Sequence, residues 1–114
     1  MNNIYYFTQE GNAKVLFVES LFNEIQNKRI LEEVASQIEG GHINFIMDIS
    51  KVPFINSAGL NCLLSIKHKS QKAGGQFSVS GASSQVVKLL EITKLKPFFK
   101  MISSLNEGRA AGIA

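Results

Sequence analysis

The segment PFINSAGLNCLL, residues 53–64, places a polar pair, Asn56 and Ser57, where an apolar extended run gives way to helical spacing. That position puts the Ser57 hydroxyl at a helix N-terminus, exposed, where backbone N–H groups lack partners and the helix dipole is positive. A hydroxyl there can serve as an N-cap, contributing about 1 kcal/mol to stability. It can also accept a phosphate. The added group carries roughly −1.5 to −2 charges, which a helix N-terminus accommodates without unfolding. A docked partner whose surface is apolar or acidic at that point would be displaced. Position alone favours the cap.

The remaining chemistry-bearing residues do not assemble a catalytic set. His42 and His68 are the only histidines, and neither lies at metal-ligand spacing from another histidine, cysteine or carboxylate. Both read as surface residues. Asp48 could act as a base for Ser57, but no histidine completes a triad. The G-x-S-x-G nucleophile elbow is absent, since Ile55 and Asn56 precede Ser57. Gly74, Gly75 and Gly81 lack the GK[ST] signature of a phosphate loop. The single cysteine, Cys62, excludes an internal disulfide and a multi-thiolate metal site, and reads as a small core residue. No catalytic residue, metal ligand or cofactor is assigned.

The elements that must position Ser57 follow from periodicity. IYYFT at 4–8 and AKVLFV at 13–18, separated by the turn signal QEGN, predict an antiparallel hairpin. Ile30, Leu31, Val34, Ala35 and Ile38 predict an amphipathic helix over about 24–39, with Asn23 a candidate cap and Gly40-Gly41 the stop. INFIMDI at 43–49 is a nearly continuous apolar strand, as a sheet covered on both faces requires, and Asp48 is its odd member. A second helix runs from Ser57 to Lys72 on Leu60, Leu63 and Leu64, with Ile66 and Ala73 at its margins, and Gly74-Gly75 stops it. QFSVS at 76–80 is a strand. Val86, Leu89, Leu90 and Thr93 mark a third helix with Ser83 or Ser84 as cap. Pro97 separates it from a last strand, FFKMI at 98–102, and residues 103–114 read as a weak final helix. Strands alternating with helices need crossovers, which makes most of the sheet parallel.

A chain of 114 residues is one domain by length, 1–114, and is apolar enough to bury a core without disulfides or metal. No apolar run approaches the roughly 20 residues of a membrane span, and no signal peptide is evident, so the expectation is a cytoplasmic protein with no membrane contact. Charge is unevenly distributed: residues 1–50 hold three basic and seven acidic side chains, residues 51–114 nine and two. The basic half lacks Lys/Arg runs with interleaved aromatics, so it reads as solvated helix faces and not as a nucleic-acid footprint.

Residues 45–101, from FIMDISKVPFINSAGL to KLKPFFKM, resemble the STAS domain of bacterial anti-sigma factor antagonists. The pattern is an apolar strand closing on Asp48 and Ser50, then Val52, Phe54, Ile55 and Asn56-Ser57-Ala58-Gly59-Leu60. Downstream, Lys72-Ala73-Gly74-Gly75 and the series Val86, Leu89, Leu90, Thr93, Leu95, Phe99 match as well. The resemblance implies an α/β STAS fold, a mixed, mostly parallel sheet with helices packed on one face. It also implies partner switching. The unphosphorylated protein would bind an anti-sigma factor that is a serine kinase, phosphorylation would break that complex, and a metal-dependent serine phosphatase would restore it. Ser57 aligns with the phosphoacceptor. Partner contacts are implied around Asn23, Asn56, Ser57, Ala58, Gly59 and Asn61 and along the exposed face of the second helix, with Asp48 in support. ATP would belong to the kinase.

The chain departs from the family where Asp is common at Asn56, where a hydroxyl residue is common at Ala58, and where SLFN at 20–23 replaces a Gly-Glu-Leu-Asp-like segment. Asn56 and Ala58 lend some weight to an alternative, a STAS module that is never phosphorylated and serves as a scaffold in a transport or signalling assembly. A small-ligand or nucleotide sensor is the third reading, with an anion at the second helix's N-terminus. Edge strands leave a homodimer open.

Overall fold

The computed structural model describes residues 5–103 and Leu105. Two strands, β1 (Tyr5–Glu10) and β2 (Ala13–Val18), form the expected hairpin and are followed by α1 (Glu24–Glu39), β3 (Phe45–Asp48), α2 (Ser57–Lys72), β4 (Phe77–Ser80) and α3 (Ser84–Ile92). A 3₁₀ turn at Lys96–Phe98 leads into β5 (Lys100–Ile102). The five strands lie in chain order across one sheet. β1 pairs antiparallel with β2, in unbroken register from Tyr5 opposite Val18 to Glu10 opposite Ala13. The pairs β2–β3, β3–β4 and β4–β5 are parallel. This is the mixed, mostly parallel sheet that the alternation of strands and helices requires.

Helices α1, α2 and α3 share one face. Alternate strand residues Leu16, Val18, Phe45, Met47, Phe77 and Val79 form a single core with Ile30 and Val34 of α1, Cys62, Leu63 and Ile66 of α2, and Val86 and Leu90 of α3. Burying each aliphatic side chain of this kind contributes about 1.5–3 kcal/mol before conformational entropy is counted. The other alternation, Ala13, Val15, Ile46 and Ile102, builds a small cluster on the opposite face of the sheet, with Phe17 and Leu105 against it. INFIMDI therefore reads as a continuous apolar run because β3 is the central strand and both of its faces are buried, Phe45 and Met47 on one side and Ile46 on the other.

Three details differ from the periodicity. In α2 the buried line is Gly59, Cys62, Leu63, Ile66 and Ser70, while Leu60 and Leu64 are only half-buried. Ile66 is thus central, and Ser70 is tolerated there because its hydroxyl donates to the Ile66 carbonyl at 2.8 Å. Thr93 is exposed at the end of α3, where its hydroxyl donates back to the Leu89 carbonyl at 2.8 Å. The last strand is shorter than FFKMI. Pro97 supports a turn in which the Phe98 and Phe99 amides donate to Leu95 and Lys96 carbonyls, so pairing starts only at Lys100. The expected final helix, 103–114, lies almost entirely outside the described residues.

Gly75 fixes the passage from α2 to β4. A Cβ on Gly75 would overlap the backbone carbonyl of Ile43, whereas one on Gly40 would meet its neighbours at ordinary contact distance. Gly75→Ala should lower unfolding free energy by more than about 2 kcal/mol, and Gly40→Ala should change it by less than about 0.5 kcal/mol. Urea-unfolding midpoints of the two variants check this.

Candidate functional site

Two helix N-termini meet at one end of the molecule. Asn23 caps α1 with extended backbone (φ −88°, ψ 110°), its Oδ1 accepting from the Gln26 amide at 3.0 Å. Asn56 caps α2 in the same way (φ −103°, ψ −171°), its Oδ1 accepting from the Gly59 amide at 3.0 Å. The expectation of Ser57 as the cap is therefore corrected. An Asn side chain reaches the third amide as readily as Ser does, and Asn56 already has the extended backbone of an N-cap. Ser57 is the first helical residue. It is exposed, and among the described residues its hydroxyl makes no hydrogen bond.

Buried amides hold the loop between β2 and α1 against these caps. Gln26 donates from Nε2 to the Ser20 carbonyl at 2.9 Å, and Asn27 donates from Nδ2 to the Leu21 carbonyl at 2.8 Å. Both side chains are nearly inaccessible. Sequence reading missed them, although their signal was a helix whose first turn points polar residues at the core. Gly59 is buried. A Cβ there would come within 3.0 Å of Leu21 Cβ and 3.1 Å of Ile55 Cβ, so its role is close packing and not a surface contact of its own. Leu21 is buried, whereas Phe22 is 43% exposed and Phe54 52%, their rings 5.3 Å apart between centroids. Ile25, 70% exposed, extends this apolar rim along α1.

Of the expected site residues, Asn23, Asn56 and Ser57 come together at this end with Asn61 exposed one turn further along α2. Ala58 and Asn61 line a groove of about 210 Å³ between α1 and α2, opposite Glu24, Lys28 and Leu31. Asp48 is engaged elsewhere. Its Oδ1 accepts from the Ser50 amide at 3.0 Å and the Ser50 hydroxyl at 2.6 Å, which shapes the turn after β3 and leaves it no bond to Ser57. Ser83, the cap of α3, donates from its hydroxyl to the Pro53 carbonyl at 2.6 Å and so ties α3 to the segment that enters α2.

His42 and His68 are both exposed, and the described residues contain no group of three or more His, Cys, Asp or Glu placed to hold a metal. Cys62 is buried, and burial pushes its thiol up to about 12.

The sequence model of the STAS domain matches residues 7–108. The chain belongs to the STAS domain family. A Bordetella bronchiseptica protein, BtrV, named as an anti-sigma factor antagonist, is 21% identical over 94 residues that span 82% of this chain and 81% of BtrV. TM1081 of Thermotoga maritima superposes with a TM-score of 0.84 at 18% identity, covering 94% of this chain and 92% of that one. The anti-sigma factor antagonist SpoIIAA of Bacillus, in its unphosphorylated form, superposes at 0.78 with 17% identity, covering 96% of this chain and 98% of SpoIIAA. Its phosphorylated form superposes at 0.70 with 14% identity. The STAS fold expected from residues 45–101 extends through the hairpin and α1. Among the described residues no helix of this STAS domain is long and apolar enough to cross a membrane.

Two measurements check this description. Asn56→Ala should cost about 1 kcal/mol in urea unfolding, through loss of the cap, and Ser57→Ala less than about 0.5 kcal/mol. The Cys62 thiolate is disfavoured only in the folded state, so stability is full below the free thiol's value near 9 and declines as pH rises toward 12. A thiol reagent at pH 8 should accordingly leave the native protein unmodified and label it completely in denaturant.

Proposed function

We propose that this STAS domain is an anti-sigma factor antagonist. It docks, unphosphorylated, on an anti-sigma factor that is itself a serine kinase, through the paired N-termini of α1 and α2, and phosphorylation of Ser57 releases it. The observation that carries this reading is the division of labour between neighbours. Asn56 holds the cap, so the exposed Ser57 hydroxyl is free to react while the helix keeps its start. A phosphate on Ser57 would meet the positive end of α2 and spare the fold. It would also set a dianion beside the apolar rim of Phe22, Phe54 and Ile25, where a partner that buries those side chains has no water to solvate it. Binding is lost and folding is retained.

The names of BtrV and SpoIIAA support the class of activity, and the two forms of SpoIIAA support a fold that carries phosphate. Within this reading the domain is a binding protein in the cytoplasm and not an enzyme. It needs no cofactor of its own, ATP enters with the kinase, and a metal-dependent serine phosphatase resets Ser57. Contacts fall on Asn23, Ser57, Ala58 and Asn61 and on the rim, with Asn56 and Gly59 placing them. Asn56 retains the capping geometry that an aspartate would supply and lacks only its charge, which removes one repulsion from the incoming phosphate.

The test is affinity capture from the cytosol of the native cell with wild type, Ser57→Ala and Ser57→Glu, with mass spectrometry of bound proteins and of Ser57. Wild type and Ser57→Ala should retain a kinase-type anti-sigma factor, and Ser57→Glu should bind it at least about tenfold more weakly. Equal retention by all three forms, together with a Ser57 that never carries phosphate, would replace the switch with a constitutive scaffold.

A further inference from the structure

A second cavity lies on the sheet face opposite α1, α2 and α3, at the C-terminal ends of β2 and β3. It has a volume of about 220 Å³ and is lined by Tyr6, Phe17, Glu19, Asp48, Ser50 and Lys51. Strand register builds its floor. Tyr6 stands opposite Phe17 across β1–β2, and Phe17 opposite Asp48 across β2–β3, so the three form a row on one face. The rings of Tyr6 and Phe17 stack with centroids 4.9 Å apart and planes 20° from parallel, and Tyr6 remains 60% exposed.

The polar groups are of unequal kind. Ser50 commits its hydroxyl proton to Asp48 at 2.6 Å, so this pair offers acceptors only. Glu19 adds a second carboxylate. The side-chain donors are the Lys51 ammonium and the Tyr6 hydroxyl. Among the described residues Glu19, Asp48 and Lys51 form no ion pair, so charges of both signs face one small space without neutralising one another. An aromatic face attracts a cation, most of all one that makes no hydrogen bonds of its own, and a cavity of this size and mixed lining suits a small molecule. A simple anion would face two carboxylates. A simple cation would face the Lys51 ammonium.

From this pattern we infer that the cavity binds a small zwitterion. Its ammonium, methylated or not, lies against Tyr6 between the Glu19 and Asp48 carboxylates, and its carboxylate reaches Lys51. This inference is independent of Ser57, and its failure would leave the partner-switch reading standing.

The experiment is an NMR titration of the full chain with glycine betaine, run in parallel with choline and acetate as the two single-charge halves. Saturable shifts are expected at Tyr6, Phe17, Ser50 and Lys51 with betaine, weaker binding with choline and none with acetate. Tyr6→Ala should weaken betaine about tenfold. Lys51→Ala, on an exposed turn, should bring betaine down to the affinity of choline. Absence of saturation at tens of millimolar betaine, choline binding as tightly as betaine to the wild type, or indifference to both variants would each overturn the inference.

Discussion

The close approach of α2 to the loop between β2 and α1, made at Gly59, is the constraint on which the functional end of this molecule depends. Leu21 and Ile55 come so near that even a Cβ in the first turn of α2 there would press on both. Leu21 in turn is fixed by its carbonyl, which accepts from the buried Asn27 amide. One small residue and one buried hydrogen bond therefore set two helix N-termini side by side. Phe22 and Phe54 are brought into contact as a consequence of Leu21 and Ile55 turning inward next to them. The apolar rim is thus not an accident of exposed hydrophobics. It is the outer layer of residues whose neighbours are the core.

Much of this was legible in the sequence because periodicity and punctuation agreed. α1 begins after Asn23 and closes on Gly40, where the Ile30 and Val34 spacing and the Gly pair both put it. β3 announced its two buried faces by having no polar alternation. What was not legible depended on a choice between equivalent residues or on contacts distant in sequence. Asn56 and Ser57 are both good caps, and only backbone conformation assigns the role to Asn56. Ile66 looked marginal on a helical wheel centred on Leu60 and Leu63. The α2 axis is rotated toward Cys62 and Ile66 because Gly59 must face Leu21. Gln26 and Asn27 could be read as surface amides until the loop whose carbonyls they satisfy was placed above them.

The sheet face opposite α1, α2 and α3 follows different rules from the face they cover. Its apolar cluster is small, and β4 presents Ser78 and Ser80 to it, both wholly buried with hydroxyl oxygens that have no hydrogen-bond partner among the described residues. A buried hydroxyl without a partner costs about 1–3 kcal/mol. The helical face, with its large aliphatic and aromatic core, supplies the stability that offsets this. Sequence alternation in QFSVS gives no warning, since a polar residue at every second strand position ordinarily marks a solvated face. Here the adjacent strands place Ile46 beside Ser78 and Ile102 beside Ser80, so the serines sit in an apolar row.

The same geometry separates the cap that starts α2 from the exposed hydroxyl beside it. A regulatory group attached to a capping side chain would alter the helix start and the partner surface together, and the two effects could not be tuned independently. On this STAS domain the cap is an uncharged amide one residue before the exposed hydroxyl. Its bond to the Gly59 amide does not involve the Ser57 hydroxyl, so a group attached there would leave Gly59 against Leu21. A charge change at Ser57 would then act on whatever touches the rim and leave the scaffold that presents it in place. The Asp48–Ser50 turn and the Ser83–Pro53 bond anchor the segment from β3 to α2 at its start and at its middle. With its entry segment tied down and its first turn packed, α2 has little room to answer a surface charge by moving, and the proposed effect of a phosphate would fall on a docked partner.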